Sequence, residues 1–237
     1  MNIVSVGAHQ DDIELNCLGT LLRYRERPDI TITNVTISNG NKGGNYDPTV
    51  PYDEIAAIRI QEATAVAQAL GGRYLCLDQE DEYICDRDET RNRLADILRE
   101  ARADVVFAPP PVDYNTDHTI SSGIVYHACL LASVRTIKTG HPPLAQSPAL
   151  YYMDTITGLE FQPTHYVDIT STFKRKCELL KLHESQMRGM TAFGGWDLVE
   201  YSQKVNAFRG LQCGVGFAEG FRPALAWPRL RPGNLLP

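Results

Sequence analysis

The 237-residue chain lacks any apolar run of the roughly 18 residues that a membrane-spanning helix requires, so no membrane partner is expected. It lacks an excess of basic charge. Its 23 lysines and arginines stand against 29 aspartates and glutamates, a formal charge of -6. Phosphate backbones are bound through a basic face, so nucleic acid is excluded as a general partner. Closely spaced cysteines are missing too. Cys17, Cys76, Cys85, Cys129, Cys177 and Cys213 include no pair nearer than nine positions, which excludes CxxC zinc ribbons and redox motifs. They read as six small, mostly buried thiols of a reducing compartment. The first seven residues have neither a charged leader nor a long apolar stretch, so a cytoplasmic protein is expected. There is no GxGxxG fingerprint, no Walker motif, no internal repeat and no low-complexity tract.

What is present is an ordinary globular mix, 43% hydrophobic and 22% charged, long enough for one domain with a sizeable core. Strand-like and helix-like segments alternate. Strands are predicted at 3–8, 30–37, 74–77 and 104–108, and helices at 11–25, 54–70, 90–102 and about 117–134. Asp53 is placed to cap the second helix and Gly71 to end it. The predicted fold class is α/β, a Rossmann-like, mostly parallel sheet with helices on both faces. From about residue 140 the pattern loosens into a C-terminal, substrate-facing segment of the same domain. Strands are expected at 150–153 and 165–169 and helices at 173–187 and 196–208. A proline-rich tail over 222–237 is expected to lie extended on the surface. The charged runs 91–102 and 174–181 read as solvated helical faces.

Sheets of this kind bind ligands beyond the carboxyl ends of their strands. Three polar loops should meet there, at 9–14, 38–44 and 109–118. The first reads Ala8-His9-Gln10-Asp11-Asp12-Ile13-Glu14. Imidazole and carboxylate oxygen suit zinc, and adjacent aspartates point in different directions, so one can ligate while the other faces the reacting water. The same two aspartates also read as helix caps favouring the dipole. The third loop holds Asp113-Tyr114-Asn115-Thr116-Asp117-His118, where Asp117 reads either as a cap or as part of a site. Two histidines and a carboxylate with a fourth position open is the pattern of a catalytic zinc centre.

These residues carry a resemblance. The first loop resembles the AHPDDxE signature of the LmbE-like, or PIG-L, family of zinc-dependent N-deacetylases, and residues 113–118 resemble that family's second motif, which ends HPDH. Arg59-Ile60-Gln61-Glu62, Asp168-Ile169-Thr170, Lys176, His183-Glu184-Ser185-Gln186, Arg209-Gly210 and Ala218-Glu219 follow in the family's order. The resemblance implies one divalent metal per chain, zinc or another such as Fe2+, held by His9, Asp12 and His118. Asp11 would be the general base toward metal-bound water, with Asn115 and Asp117 as further catalytic groups. Arg59 and Asn41 would bind substrate, although Arg59 reads equally as a salt-bridge partner of Glu62 or another carboxylate. The implied activity removes an acetyl group from an N-acetylated amino sugar, N-acetylglucosamine among them, or from a sugar conjugate. An amidase acting on another N-acyl scaffold and a catalytically lapsed metal-binding protein are the alternatives. Family members are often homo-oligomers, and that is the expected assembly.

Three departures stand out. Gln10 replaces the signature's proline and removes no chemical group. Asn41 stands where relatives carry glutamate. Asn115 replaces a histidine three positions before the last ligand, and an amide can donate a hydrogen bond but cannot shuttle a proton. Tyr114 and His165 are candidates for the missing acid. His183 is read as structural, His127 as a core or interface residue and His141 as a loop residue.

Overall fold

A computed structural model describes residues 1–44 and 46–230. Asn45 of the predicted glycine–asparagine loop and residues 231–237 of the predicted tail lie outside the described residues. The described chain runs β1 (Asn2–Gly7), α1 (Asp12–Asn16), α2 (Leu18–Arg25), β2 (Thr31–Ser38), α3 (Tyr52–Ala69), β3 (Arg73–Gln79), α4 (Asp88–Glu100), β4 (Val105–Ala108) and α5 (Thr116–Leu131). It continues through β5 (Ala149–Met153), β6 (His165–Asp168), α6 (Phe173–Leu180), α7 (Glu184–Gly194), α8 (Leu198–Cys213) and β7 (Ala218–Pro223). The strands form one sheet in the order β3-β2-β1-β4-β5-β7-β6. The first five are parallel, and β7 runs antiparallel to both β5 and β6. This is the expected α/β, Rossmann-like architecture, and no described helix is long and apolar enough to cross a membrane.

The central strands are apolar on both sides because helices cover both sides. On one face Val4, Val6, Val35, Ile37 and Val106 pack against Leu94 and Leu98 of α4 and Ile124 and Val125 of α5. On the other, Ile3, Ile32, Val105 and Phe107 pack against Leu18 and Leu21 of α2, Val66 of α3 and Leu179 of α6. Each such fully buried side chain contributes about 1.5–3 kcal/mol. Strand order reverses between β1 and β4, so the crevice above these two strands is where a ligand site belongs.

The predicted 11–25 helix is two helices, broken at Cys17. The cause is a buried carboxylate from the far end of the chain. Glu219 of β7 accepts the N–H groups of Gly19 (2.9 Å) and Thr20 (2.7 Å), which would otherwise be unpaired at the start of α2. Lys176 of α6, read from sequence as solvated, is fully buried and supplies the countercharge. Its Nζ donates to Glu219 (2.7 Å), to Asn206 Oδ1 (2.8 Å) and to the Leu15 carbonyl (2.7 Å). Lys176→Met is therefore expected to leave Glu219 buried with no cation and to destabilise the protein by about 3–5 kcal/mol. Urea denaturation measures this as a lower midpoint at unchanged slope, and an unchanged midpoint refutes it.

Other expectations are corrected for similar reasons. Arg99 is buried, not solvated, and donates to the carbonyls of Leu131, Ala132 and Val134 at the end of α5. The predicted 173–187 helix divides into α6 and α7 around His183, whose ψ of 60° is not helical. The predicted 196–208 helix starts at Leu198 because the Asp197 side chain accepts from Val199 and Glu200, and it runs on to Cys213. Pro51, not Asp53, occupies the cap of α3, while Gly71 ends it at φ 74°. Arg222 and Pro223 belong to β7 and Arg229 is buried over the Tyr126 ring, while Leu225, Trp227 and Leu230 are exposed, so the described part of the tail lies on the surface as expected but is anchored and turns instead of running extended. His127 is exposed. Of the six thiols, all free, only Cys17 and Cys129 are buried.

Candidate metal centre

The chain leaves β1 through a tight turn. A Cβ on Gly7 would lie 2.8 Å from the His9 carbonyl and 3.0 Å from Asp12 Cβ, so glycine permits the turn that brings these residues back over the strand end. The His9 N–H donates to Asp12 Oδ2 at 2.9 Å. That bond aims the other oxygen, Oδ1, at His118 Nε2, 3.2 Å away. Asp11 sits at the N-cap of α1 but makes no capping bond with its side chain, so the capping alternative fails for it.

His118 arrives from the first turn of α5. Asp113 Oδ2 pairs with its Nδ1 at 2.9 Å, which leaves Nε2 to face Asp12. The cap of α5 is Asn115, whose Oδ1 accepts from the N–H groups of Asp117 (2.8 Å) and His118 (3.4 Å). With Oδ1 turned to the helix, Nδ2 is the end of the amide directed away from it. Asp117 is not the cap. It is buried, accepts from the N–H groups of Glu82 (2.8 Å) and Ile84 (3.3 Å), and lies 3.4 Å from His9 Nε2.

Arg59, on α3, is only 3% exposed. Its guanidinium reaches Asp11 Oδ1 (3.4 Å), Asp81 Oδ2 (3.3 Å) and the Gly40 carbonyl (3.2 Å). The salt-bridge alternative is what the geometry presents, though with Asp11 and Asp81. Glu62 is occupied elsewhere, by the Ser185 N–H and hydroxyl. Gly40 has φ 73°, and a Cβ there would meet Gln10 Oε1 at 2.2 Å and Arg59 at 2.9 Å, so this loop too requires glycine. Gln10 does more than fill the proline position, since its amide donates to the Ser38 carbonyl (3.0 Å) beneath that loop. Asn41 Oδ1 accepts the Asp81 N–H (3.1 Å). Asn41 thus holds the β3–α4 loop against the β2–α3 loop.

Asp81 is the residue that sequence reasoning missed. It follows β3, a strand whose loop was not expected at the site, and its Oδ1 lies 3.0 Å from His9 Nε2. Its only signal was position beyond a strand's carboxyl end, within the acidic triplet Glu80-Asp81-Glu82. Tyr114 is largely exposed, and partial burial together with the fields of Asp113, Asp12 and Asp11 pushes its hydroxyl up to about 12. His165 is exposed on β6 and bonds Thr164, with no described contact to His9, Asp12 or His118. His183 is fully buried, 3.6 Å from Glu14.

Burial alone would lower the pKa of both site histidines. The surrounding carboxylates outweigh it, Asp117, Asp12 and Asp81 for His9 and Asp12 and Asp113 for His118, which is raised to about 9. Protons on the two rings thus offset the clustered negative charge, and a cation held by the same atoms can replace them. The donor set fits one. Donor atoms of His9, Asp12 and His118 lie within 4.8 Å of one another, and Asp12 Oδ1 and His118 Nε2 are buried without a hydrogen-bond partner. Two imidazoles and a carboxylate suit zinc or ferrous iron. His9, Asp81 and Asp117 are equally close together. There, however, both Asp117 oxygens receive backbone N–H groups and Asp81 is paired with Arg59, whereas Asp12 Oδ1 and His118 Nε2 of the first set are unpartnered.

A mostly parallel sheet with a possible His–Asp–His metal site at its switch point is an arrangement suited to metal-dependent chemistry. Residues 4–129 match the family described as GlcNAc-PI de-N-acetylase, PIG-L, and the chain belongs to that family. It is 27% identical over 214 residues to a 4-oxalmesaconate hydratase of Pseudomonas putida, covering 87% of this chain and 79% of that protein. Among solved structures it resembles the N,N'-diacetylchitobiose deacetylase of Pyrococcus horikoshii, with TM-score 0.82, 23% identity and coverage of 94% of this chain and 83% of that one. It also resembles GalB, the 4-carboxy-2-hydroxymuconate hydratase of P. putida KT2440, with TM-score 0.84, 23% identity and coverage of 98% and 99%. At these identities the two solved structures share the fold with this chain.

Proposed function

We propose that the protein is a metal-dependent amide hydrolase that removes an acetyl group from an N-acetylated amino sugar or sugar conjugate, with zinc as the metal and Fe2+ as the admissible substitute. One observation carries the reading. Asp11 stands beside the ligand Asp12, makes no capping bond, and is held at its Oδ1 side by Arg59. His9, Asp12 and His118 would hold a divalent cation, which when bound would supply Lewis-acid activation of water and of the carbonyl. Asp11 takes the proton of the attacking water and returns it to the departing amine as the C–N bond breaks. Asn115 Nδ2 offers a neutral hydrogen bond to the oxyanion. Water is consumed, and acetate and a free amine are released.

The hydratase relatives support a second reading. Addition of water to a carbon–carbon double bond expels no amine, and Asn115 removes the imidazole that would protonate one. The distinguishing experiment incubates the zinc-loaded protein with N-acetyl amino sugars, N-acylated non-sugar amines and unsaturated hydroxy-tricarboxylic acids. Amine release from the N-acetyl sugars is the expected result. Release only from non-sugar amides moves the substrate to another N-acyl scaffold. Loss of the conjugated chromophore without amine release establishes the hydratase instead. Zinc uptake without any turnover identifies a lapsed enzyme.

A further inference from the structure

An imidazole that ligates a metal through one nitrogen carries a proton on the other, and the group that accepts this proton fixes the tautomer and the ring angle. For His118 that group is Asp113. For His9 the nitrogen nearer the donor cluster is Nδ1, 3.7 Å from Asp12 Oδ2, while Nε2 points the other way, at ion-pair distance from Asp81 (3.0 Å) and Asp117 (3.4 Å) but buried without a hydrogen bond to either. Asp117 is the poorer acceptor because both its oxygens already receive backbone N–H groups. Asp81 is buried, its Oδ2 faces Arg59 at 3.3 Å and its carboxylate also accepts the Lys42 backbone N–H, and Oδ1 is its atom nearest His9. Its backbone is pinned by Asn41.

We infer that Asp81 is the positioning residue of His9: it accepts the Nε2 proton, turns Nδ1 toward Asp12 and His118, and through Arg59 ties that ring to Asp11. The inference rests on the metal-hydrolase reading only in taking His9 as a ligand. It accounts for a link the sequence does not suggest. A carboxylate from the β3 loop sets the angle of a ligand from the β1 loop, and the same guanidinium holds both that carboxylate and the proposed base.

The test is the zinc affinity of the full chain, measured by competition with a chromophoric chelator, together with the visible spectrum of the Co2+-substituted protein. Asp81→Ala is expected to weaken zinc binding by about 10- to 100-fold and to shift the Co2+ bands. Asp81→Asn, which keeps an acceptor oxygen, should recover most of that loss. A folded Asp81→Ala protein with wild-type affinity and spectrum overturns the inference. A measurement on the wild type covers the case in which the alanine variant does not fold. Long-range 1H–15N spectra of the zinc-loaded protein should show His9 protonated at Nε2, and a proton on Nδ1 overturns the assignment. None of these readouts uses a substrate. Failure of every N-acyl compound would sink the deacetylase reading and leave this one standing, whereas a wild type that takes up no divalent ion sinks both.

Discussion

Asp11→Asn is expected to keep the fold and bind a full complement of metal while losing about 10²- to 10⁴-fold in kcat, the range that a positioned general base contributes. In free energy that is about 3–5 kcal/mol of transition-state stabilisation. The argument is geometric. Asp11 belongs to the same turn as Asp12, yet it neither caps α1 nor faces His118, and its contact is Arg59 NH2 at 3.4 Å. An amide in its place keeps the shape but cannot take a proton from water at neutral pH. Arg59 retains Asp81 and the Gly40 carbonyl in the variant, so its buried charge is not abandoned. Metal content by atomic absorption and turnover by amine release must therefore separate. If Asp11→Asn turns over at the wild-type rate, Asp11 is not the base. If it also loses its metal, Asp11 is a structural support of the ligand set.

The residues of the possible metal site were legible in the sequence, and the way they are held was not. His9 and Asp12 follow β1 closely and His118 lies in the first turn of the helix after β4, where short-range spacing and a known topology place them. Asp12 and His118 are held by near neighbours in sequence, but His9 meets a partner from far along the chain. Asp81 meets His9 because β3 and β1 lie in one sheet with β2 between them, a proximity that no local pattern encodes. Lys176 and Arg99 were misread for the same reason. Each sits among charged neighbours on a helix and looks solvated, but its acceptors are Glu219 of β7 and the carbonyls ending α5. Periodicity locates helices because it is a property of adjacent residues. It does not locate a buried charge, whose cost is offset by a partner chosen in three dimensions. Helix ends failed similarly: Glu219 starts α2 at a position where the local sequence would continue the preceding helix.

Replacing His118 should separate the two jobs of the pocket from the other side. His118→Ala removes the Nε2 that faces Asp12 Oδ1 and leaves Asp113, whose side chain is fully buried, without its ring partner. Zinc per chain after dialysis is expected to fall from one toward none, and turnover to fall with it by about 10³-fold, since a bound cation supplies several kcal/mol of transition-state stabilisation. Excess zinc in the assay should restore part of the activity, because His9 and Asp12 remain as donors. Asp113→Asn serves as the control for lost support: it keeps the imidazole and an acceptor oxygen, so its zinc affinity should fall less than that of the alanine variant. The pattern across variants carries the argument. Asp11→Asn loses turnover and keeps metal, while His118→Ala loses both, and only a pocket in which adjacent aspartates divide ligation from proton transfer produces that pair of results. A His118→Ala protein that holds one zinc per chain and turns over normally would remove His118 from the ligand set.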